Sequence, residues 1–362
     1  MKLPLECLYT ASALGRGNDE TLSNLLAHGA PGMAEISGDI PGRSVWFGSV
    51  PGDLPDVADG RGNLRANRLL GLAVDGARGA FAALVDKYGA DRVGIVLGAS
   101  NTGVDEAERH VDTWLDRGEK PAEFDFSALE LGTPAAYLKS VLGTTGPSYV
   151  ISTACSSSGK AFGAARRLIE RGICDAVVTG GVDGRCRFAL NGFHALGALS
   201  EGRCRPLAPD RDGINLGEGV ALFAMERERD GAKVFLAGVG ESSDAYHATA
   251  PDPEGLGAEA SMRAAISDAG LSPADVDYVN LHGTGTRAND DMEMKAFGRV
   301  FAGAADVPRH ESTKSLTGHC LGAAGAVEAA VCCLLVGAGR CRAALSNSFA
   351  FGGSNASVVI SA

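Results

Sequence analysis

The sequence predicts an α/β protein made of two similar halves, and three features lead to this expectation. Apolar runs typical of strands alternate with segments of helical periodicity along the 362 residues. This length suits two domains, or one large domain made of two related parts. A turn followed by a helix of small residues also occurs twice, at 153–169 and at 317–335.

Eight apolar runs are predicted strands, and three segments have the periodicity of helices. The strands are expected at 92–100, 148–156, 175–183, 220–228, 233–242, 276–285, 343–349 and 357–362. The helices are expected at 66–89, 159–172 and 257–270. The strands should be largely buried. A charged connector at 227–232 separates the two halves, which we therefore assign to residues 1–228 and 229–362.

Composition narrows the class of protein. Hydrophobic residues make up 45% and charged residues 21% of the chain, as in folded globular proteins. The net charge of -11 argues against a nucleic-acid partner, because phosphate backbones bind to basic faces. Glu6 interrupts the N-terminal apolar stretch and no long uncharged apolar run occurs, so neither export nor membrane spanning is expected. Nine cysteines without paired spacing predict no disulfide framework and no metal site, and hence a cytoplasmic protein.

The repeated segment places Cys155 and His319 at equivalent points. Each segment is a turn followed by a small-residue helix, which predicts two buried central helices whose N-termini open onto a site. The alternative is that any two helices rich in Ala and Gly look alike.

Cys155 lies where a predicted strand meets the helix that begins near Ser157. Free backbone N–H groups and the helix dipole at such a junction favour a thiolate, so Cys155 is a candidate nucleophile. A lone cysteine at a strand end is, however, more often a small buried hydrophobic residue.

His282 and His319 are the candidate acid–base residues. His282 follows a predicted strand and opens a loop rich in Gly and Thr, and His319 precedes the second central helix. Either histidine alone could be a structural residue, as we expect for the other histidines of the chain. These others are His28, His110, His194, His247 and His310.

Four motifs resemble the elongating β-ketoacyl-ACP synthases, in the order found in that family. They are TACSSS at 153–158, NLHGTGT at 280–286, STKSLTGHCLGAAG at 312–325 and NSFAFGGSN at 347–355. The resemblance covers essentially the whole chain. It implies a thiolase-like fold, with two pseudo-repeated halves in a five-layer αβαβα arrangement.

The resemblance also implies a mechanism. Cys155 would accept an acyl chain from the phosphopantetheine arm of an acyl carrier protein. Malonyl-ACP would then lose CO2, with His282 and His319 donating hydrogen bonds to the enolate oxygen. The carbanion would attack the Cys155 thioester, and the backbone N–H groups of Cys155 and Phe351 would form the oxyanion hole.

Further site residues follow from the same motifs. Lys314 and Glu328 match a buried lysine and glutamate beside the histidines; the glutamate lies in an apolar helix and needs a partner, for which Lys314 is our choice. Thr284 and Thr286 resemble threonines that bind the pantetheine arm. The gating loop would contain Ala350, Phe351 and Gly352.

The expected partners are an acyl carrier protein and a second ketosynthase-like subunit, identical or related. Arg65 and Arg68 match basic carrier-docking positions at the start of a helix, although such a pair is often just a solvated face. Because the carrier's pantetheine arm delivers the substrates, neither a metal nor a small organic cofactor is expected.

Two departures from the family pattern affect the loops that admit the acyl chain. Ala350 replaces the usual glycine, so the loop should be stiffer, and the stretch at 205–214 lacks a Phe-Asp pair and a later aromatic residue. These changes favour a specialised pathway, such as aryl polyene or other polyene synthesis, over bulk fatty-acid elongation.

Two other functions compete with an active synthase. A non-catalytic subunit of the chain-length-factor type would lack the nucleophile, whereas Cys155 and both histidines are present. A thiolase would need a second cysteine beside Gly352, and a priming synthase would carry Asn in place of His319. The motifs therefore favour the elongating synthase.

Overall fold

The computed structural model describes residues 1–57, 63–304 and 306–362. The N-terminal half contains nine of its strands: β1 Leu3–Ser12, β2 Gly15–Arg16, β3 Met33–Ile40, β4 Arg43–Gly48, β5 Val93–Gly98, β6 Ser148–Ile151, β7 Ala176–Asp183, β8 Leu216–Gly217 and β9 Gly219–Glu226. The C-terminal half contains five: β10 Phe235–Ser243, β11 Tyr278–Asn280, β12 Arg309–Glu311, β13 Ala343–Phe349 and β14 Ser354–Ser361. All eight predicted strands are present.

The main strands of the two halves have the same topology. The spatial order is β6-β5-β7-β9-β1 in the first half and β12-β11-β13-β14-β10 in the second. In each half the first three strands of this order are parallel and the last two pair antiparallel with their neighbours. The two sheets meet where β1 pairs with β10, at Leu3 with Leu236 and Pro4 with Phe235. The structure thus confirms two pseudo-repeated halves.

Helices lie outside and between the two sheets. They are α1 Asn18–Leu26, α2 Arg65–Gly76, α3 Arg78–Tyr88, α4 Val104–Arg117, α5 Thr133–Leu142, α6 Ser157–Glu170, α7 Arg187–Ala195, α8 Leu256–Asp268, α9 Arg287–Val300, α10 Lys314–Thr317 and α11 Ala324–Gly337. Helices α2, α3 and α5 cover the outer face of the first sheet, and α8 and α9 cover that of the second. Helices α6 and α11 fill the space between the sheets. This is the predicted αβαβα arrangement.

The central helices approach each other closely because glycines lie at their contact. A Cβ atom added to Gly325 of α11 would lie 2.8 Å from the backbone nitrogen of Gly159 in α6. The same atom would lie 2.8 Å from Ser348 Oγ on β13. Only glycine fits this contact without displacing its neighbours. The small-residue composition of the two repeated segments therefore allows the compact central layer.

The prediction of one long helix at 66–89 is wrong in one respect, because the structure has two helices there, α2 and α3. The break lies at Ala77, whose backbone has φ -130° and ψ 23°. A Cβ atom on Gly76 would lie 2.2 Å from the ring of Tyr9, so the chain passes directly against β1 at this point. Periodicity alone did not reveal this tertiary contact.

Two further observations complete the architecture. A small sheet formed by β3, β4 and β8 packs with α7 and the loop before β8. Its strand β8 runs beside His319 of the second half. Within the described ranges, no helix is long and apolar enough to cross a membrane.

Candidate active site

Cys155 lies in a sharp turn between the end of β6 and the start of α6. The preceding residue, Ala154, has φ 50°, which is unfavourable for a residue with a side chain. In the second half Gly318, which precedes His319, has φ 67°. In both repeated segments, the residue before the candidate catalytic side chain therefore has a positive φ angle. In each case it turns the following side chain into the space between the halves.

His319 contacts Cys155 directly. Its Nε2 atom lies 2.9 Å from the sulfur of Cys155. Two backbone bonds fix the position of His319: its N–H donates to the carbonyl of Asn215 at 2.7 Å, and its own carbonyl accepts from Gly217 at 2.9 Å. A residue of the second half is therefore held against the nucleophile candidate by the loop around β8.

His282 follows β11 and completes a buried triad. Its ring centroid lies 5.4 Å from that of His319, with the two planes at 85°. The Lys314 ammonium lies 3.4 Å from His282 Nδ1. Because an ammonium group can only donate, Nδ1 accepts, and the proton of the neutral ring then lies on Nε2. His282 therefore presents an N–H donor.

Lys314 and Glu328 form a fully buried ion pair, as the sequence predicted from the position of Glu328. Lys314 Nζ donates to Glu328 Oε1, while the other carboxylate oxygen, Oε2, has no hydrogen-bond partner within the described residues. Burial raises the pKa of Glu328 to about 7, and the charge of Lys314 opposes that rise. Lys314 thereby places its positive charge near both histidines.

Burial dominates the titration of the triad. The pKa values of His282 and His319 are well below the usual range, first because of burial and then because of Lys314. Burial also raises the pKa of Cys155 to about 12, although Lys314 and a hydrogen bond from the Phe351 backbone lower it. Burial therefore opposes the thiolate that the N-terminus of α6 favours. The thiol is protonated at neutral pH, and the histidines are neutral.

A cavity of about 220 Å³ connects these residues to the surface. It is lined on one side by Cys155, His282 and His319. Apolar side chains, including Phe193, Leu196, Ile214 and Phe349, form much of the remaining wall. The cavity is thus suited to an acyl chain beside a small polar reaction centre.

Thr284 and Thr286 also line the cavity, where the sequence placed the pantetheine arm. Their hydroxyl groups lie 2.8 Å apart, and the backbone N–H of Thr286 donates to Thr284 Oγ1 at 3.3 Å. Each hydroxyl group can both donate and accept, so the two threonines can form further hydrogen bonds with a ligand.

The predicted gating loop adopts an extended conformation at Ala350, with φ -109° and ψ 155°. The positive φ angles belong to Gly352 and Gly353, at 82° and 74°. Alanine is therefore compatible with this state of the loop. The ring of Phe351 stacks on that of Phe193 at a centroid distance of 5.6 Å.

Arg65 and Arg68 begin helix α2 as expected, but their guanidinium groups bind within the chain. Arg65 forms two hydrogen bonds with the buried carboxylate of Glu218. Arg68 donates to the carbonyl groups of Leu54 and Pro55, at 2.7 and 3.0 Å. These contacts satisfy both guanidinium groups within the chain, and the carrier-docking role remains a prediction from the sequence.

The sequence did not reveal two buried carboxylates that support the site. Glu293 of α9 accepts the backbone N–H groups of His282 and Gly283, at 2.8 and 2.7 Å, and so fixes the loop that carries His282. Asp183, at the end of β7, accepts N–H groups from Ser100, Asn101 and Gly322. For Glu293 the sequence did contain a signal. This acidic residue lies three and four positions before Ala296 and Phe297, and therefore on the apolar face of α9.

The triad also satisfies one geometric requirement of a metal site. Ligand atoms of Cys155, His282 and His319 all lie within 4.8 Å of one another. Thiol and imidazole groups are ligands that zinc accepts. The expectation that no metal takes part remains a prediction from the sequence.

Comparison with known proteins identifies the class that this fold and site define. Residues 82–231 match the N-terminal domain of β-ketoacyl synthases, and residues 234–346 match their C-terminal domain. The chain is 36% identical to 3-oxoacyl-[acyl-carrier-protein] synthase 2 of Staphylococcus aureus over 293 residues, which is 76% of this chain and 73% of that protein. It is 33% identical over 360 residues to Nodulation protein E of Rhizobium sp. (strain N33), covering 89% of each.

A solved structure is similar over the full length. It is that of the ketosynthase ApeO in complex with its chain length factor ApeC from Xenorhabdus doucetiae. The matched chain has a TM-score of 0.92 and 37% identity, over 99% of this chain and 98% of that one. The protein belongs to the β-ketoacyl synthase family. The predicted family and its thiolase-like fold are thus confirmed, and the chain is an acyl-transferring condensing enzyme.

Proposed function

We propose that this enzyme joins an acyl group carried on Cys155 to malonyl-ACP by decarboxylative Claisen condensation, forming β-ketoacyl-ACP and CO2. The observation that carries this proposal is the contact between Cys155 Sγ and His319 Nε2, with His282 beside them at the end of an apolar cavity. A nucleophile, a proton acceptor and a second hydrogen-bond donor thereby share one buried site.

The first half-reaction transfers the acyl group. Cys155 sulfur attacks the carbonyl carbon of the acyl thioester, and the pantetheine sulfur leaves. The thiol proton passes to that leaving sulfur, and His319 Nε2 is the group within reach to carry it. Because the pKa of Cys155 is raised to about 12, this proton must be removed as the sulfur attacks.

The second half-reaction forms the carbon–carbon bond. Once Cys155 is acylated, Nε2 of His319 no longer accepts a thiol proton and can carry the ring proton instead. The thioester oxygen of malonyl-ACP then accepts hydrogen bonds from the Nε2–H groups of His282 and His319 while CO2 leaves. The resulting carbanion attacks the acyl carbon on Cys155, and the oxyanion accepts from the backbone N–H groups of Cys155 and Phe351. Collapse of this intermediate releases β-ketoacyl-ACP, and the Cys155 sulfur takes up one proton.

The buried ion pair supports the second step. Lys314 is held in place by its contact with Glu328, and its ammonium keeps the proton of His282 on Nε2. Thr284 and Thr286 would bind the pantetheine arm, and Ala350, Phe351 and Gly352 would form the gate beside Phe193.

We also propose that the enzyme works as a dimer, either with itself or with a related ketosynthase-like subunit. The similarity to a chain of the ApeO–ApeC complex supports this assembly. The boundary between halves would fall at 228 and 229, within the connector from β9 to β10. A cytoplasmic location and a specialised polyene pathway remain predictions from the sequence.

A non-catalytic partner subunit is the competing function. Such a subunit would have no use for a thiol held 2.9 Å from an imidazole, or for a buried lysine directed at a second histidine. The complete constellation therefore favours catalysis.

The test is product formation from a panel of acyl-ACPs and malonyl-ACP, followed by mass spectrometry. The wild type should form β-ketoacyl-ACP from at least one chain length, and Cys155→Ala should form none. Failure with every acyl chain, with or without a co-expressed ketosynthase-like subunit, would contradict the proposed function.

A further inference from the structure

Glu218 is a buried acidic residue between strands β8 and β9. It directly follows Gly217, the last residue of β8, and its side chain has no exposed surface. Among the described residues, those that line the cavity beside Cys155 do not include it. Any effect of Glu218 on the reaction must therefore act through its neighbours.

Three segments of the first half bind the Glu218 carboxylate. The guanidinium of Arg65, the first residue of α2, donates from Nε and Nη2. The backbone N–H groups of Val50 and Arg185 each donate one further bond, at 3.1 Å. Each carboxylate oxygen thus accepts two hydrogen bonds, which offset the cost of burying the group. Glu218 is thereby fixed to the first half from three sides.

The backbone beside Glu218 holds His319 of the second half. The His319 N–H donates to the carbonyl of Asn215 at 2.7 Å, and the His319 carbonyl accepts from Gly217 at 2.9 Å. The thiol of the next residue, Cys320, donates to the Glu218 carbonyl at 3.3 Å. Residues 215–218 therefore hold residues 319–320 by three bonds, and the anchoring of the first segment determines the position of the second.

We propose that Glu218 is a positioning residue that keeps Nε2 of His319 within reach of the Cys155 thiol. This inference rests on the proposed function and adds one residue to it. The carboxylate anchors β8, β8 holds His319, and the 2.9 Å contact with Cys155 depends on both. Glu293 acts similarly on the loop of His282, whose backbone N–H it accepts. Each histidine of the site thus has its own buried carboxylate.

The test measures alkylation of Cys155 by iodoacetamide in Glu218→Gln. Glutamine has nearly the same size, but its NH2 group cannot accept from the N–H donors that surround the carboxylate. The segment should therefore shift and carry His319 with it. Alkylation at pH 7.5 should slow by about tenfold, because misplacing a catalytic group by about 1 Å can cost up to about a hundredfold.

The pH dependence of alkylation separates misplacement of His319 from a general loss of structure. In the wild type the neutral His319 accepts the thiol proton, so the rate should change little between about pH 7.5 and 9. Without that acceptor, alkylation depends on free thiolate, which rises about tenfold per pH unit below the Cys155 pKa of about 12. Glu218→Gln should show this steep dependence, as His319→Ala should.

Two other buried carboxylates provide controls. Glu293→Gln should slow condensation through the loop of His282, with the pH dependence of alkylation as in the wild type. Glu226 lies at the far end of β9, roughly 25 Å from Glu218, and pairs with Lys87 and Arg229. Glu226→Gln should lower thermal stability without changing the alkylation rate.

Arg65→Lys is the second variant, and it applies if Glu218→Gln does not fold. It keeps the positive charge beside the carboxylate but removes the paired N–H donors of the guanidinium. Its alkylation rate should acquire the same steep pH dependence to a smaller extent. Iodoacetamide needs no carrier protein, so the readout is independent of any docking role of Arg65.

The outcomes also separate this inference from the proposed function. Alkylation of Glu218→Gln at the wild-type rate, or slower alkylation with the flat pH dependence of the wild type, would overturn the positioning role. Equal slowing in Glu226→Gln would overturn it as well. Alkylation requires neither acyl-ACP nor malonyl-ACP, so a failure of condensation in the wild type would count against the proposed function alone.

Discussion

The protonation state of Cys155 governs how the first half-reaction begins. Its pKa is raised to about 12 by burial, yet its sulfur lies 2.9 Å from His319 Nε2. The site therefore holds a neutral thiol next to a neutral base, and thiolate forms only as the proton moves. Deprotonation coupled to attack avoids holding an isolated charge in a buried site.

Alkylation of Cys155 by iodoacetamide tests this arrangement. His319→Ala should slow alkylation at pH 7.5 by at least about tenfold, because it removes the proton acceptor. His282→Ala leaves that contact in place and should slow the reaction much less. The rates are measured by intact mass with Cys155→Ala as the blank, and equal slowing in both variants would count against His319 as the base.

The two buried histidines also predict a dependence of stability on pH. Their folded pKa values lie well below the unfolded value near 6.5, mainly because of burial. Below about pH 6.5 the unfolded chain therefore binds protons that the folded chain does not. The contribution of these residues to stability is fully present above that pH and is lost as pH falls.

Urea unfolding of wild type and of the double variant His282→Asn, His319→Asn measures this contribution. As the pH falls from 7.5 to 5, the unfolding free energy of the wild type should decrease relative to that of the variant. The decrease should be up to about 2.7 kcal/mol per pH unit for two histidines. Glu328 is present in both proteins, so much of its opposite effect cancels. A difference that stays constant over this range would show that the histidines titrate normally when folded.

At the residue scale, the motifs predicted Cys155, His282, His319 and the Lys314–Glu328 contact. They did not predict the pKa of Cys155, because desolvation depends on depth of burial in the folded chain. Nor did they show that Arg65 binds Glu218, which lies 153 positions away in the sequence. Partners so distant are brought together only by the fold.

At the element scale, the contact between α6 and α11 determines how the two halves meet. Gly325→Ala should destabilise the protein by about 1–3 kcal/mol, because its Cβ would overlap Gly159 and Ser348. Gly337→Ala is the matched control at the exposed end of α11, where the nearest atom, on Val234, would be 3.6 Å away. It should be neutral or stabilising, since alanine favours helix by up to about 1 kcal/mol.

Denaturant unfolding of both variants gives the comparison. Equal stability of Gly325→Ala and Gly337→Ala would contradict close packing at the central layer.

Sequence reasoning located both central helices through their small residues, and all eight predicted strands are present. The sequence predicted α2 and α3 as one helix, because helical periodicity carries no information about the contact between Tyr9 and Gly76.

At the scale of the whole molecule, the two halves share one core and one active site. Residues of β1, α6 and β9 pack in the same cluster as residues of α11 and β14. Cys155 comes from the first half, and His282 and His319 come from the second. Separation of the halves would therefore expose the core and dismantle the triad.

This architecture predicts a single cooperative unfolding transition. Both tryptophans, Trp46 and Trp114, lie in the first half, so their fluorescence reports on that half alone. Circular dichroism reports on both halves. The two denaturation curves should superimpose. Two separated midpoints would show that the halves unfold independently.

The central claim is that one thiol carries the acyl chain between two half-reactions. The most direct measurement incubates the enzyme with acyl-ACP, maps the adduct by peptide mass spectrometry, and then adds malonyl-ACP. The acyl group should be found on Cys155 and should disappear as β-ketoacyl-ACP and CO2 form. An acyl group on another residue, or an adduct on Cys155 that malonyl-ACP does not discharge, would contradict the mechanism.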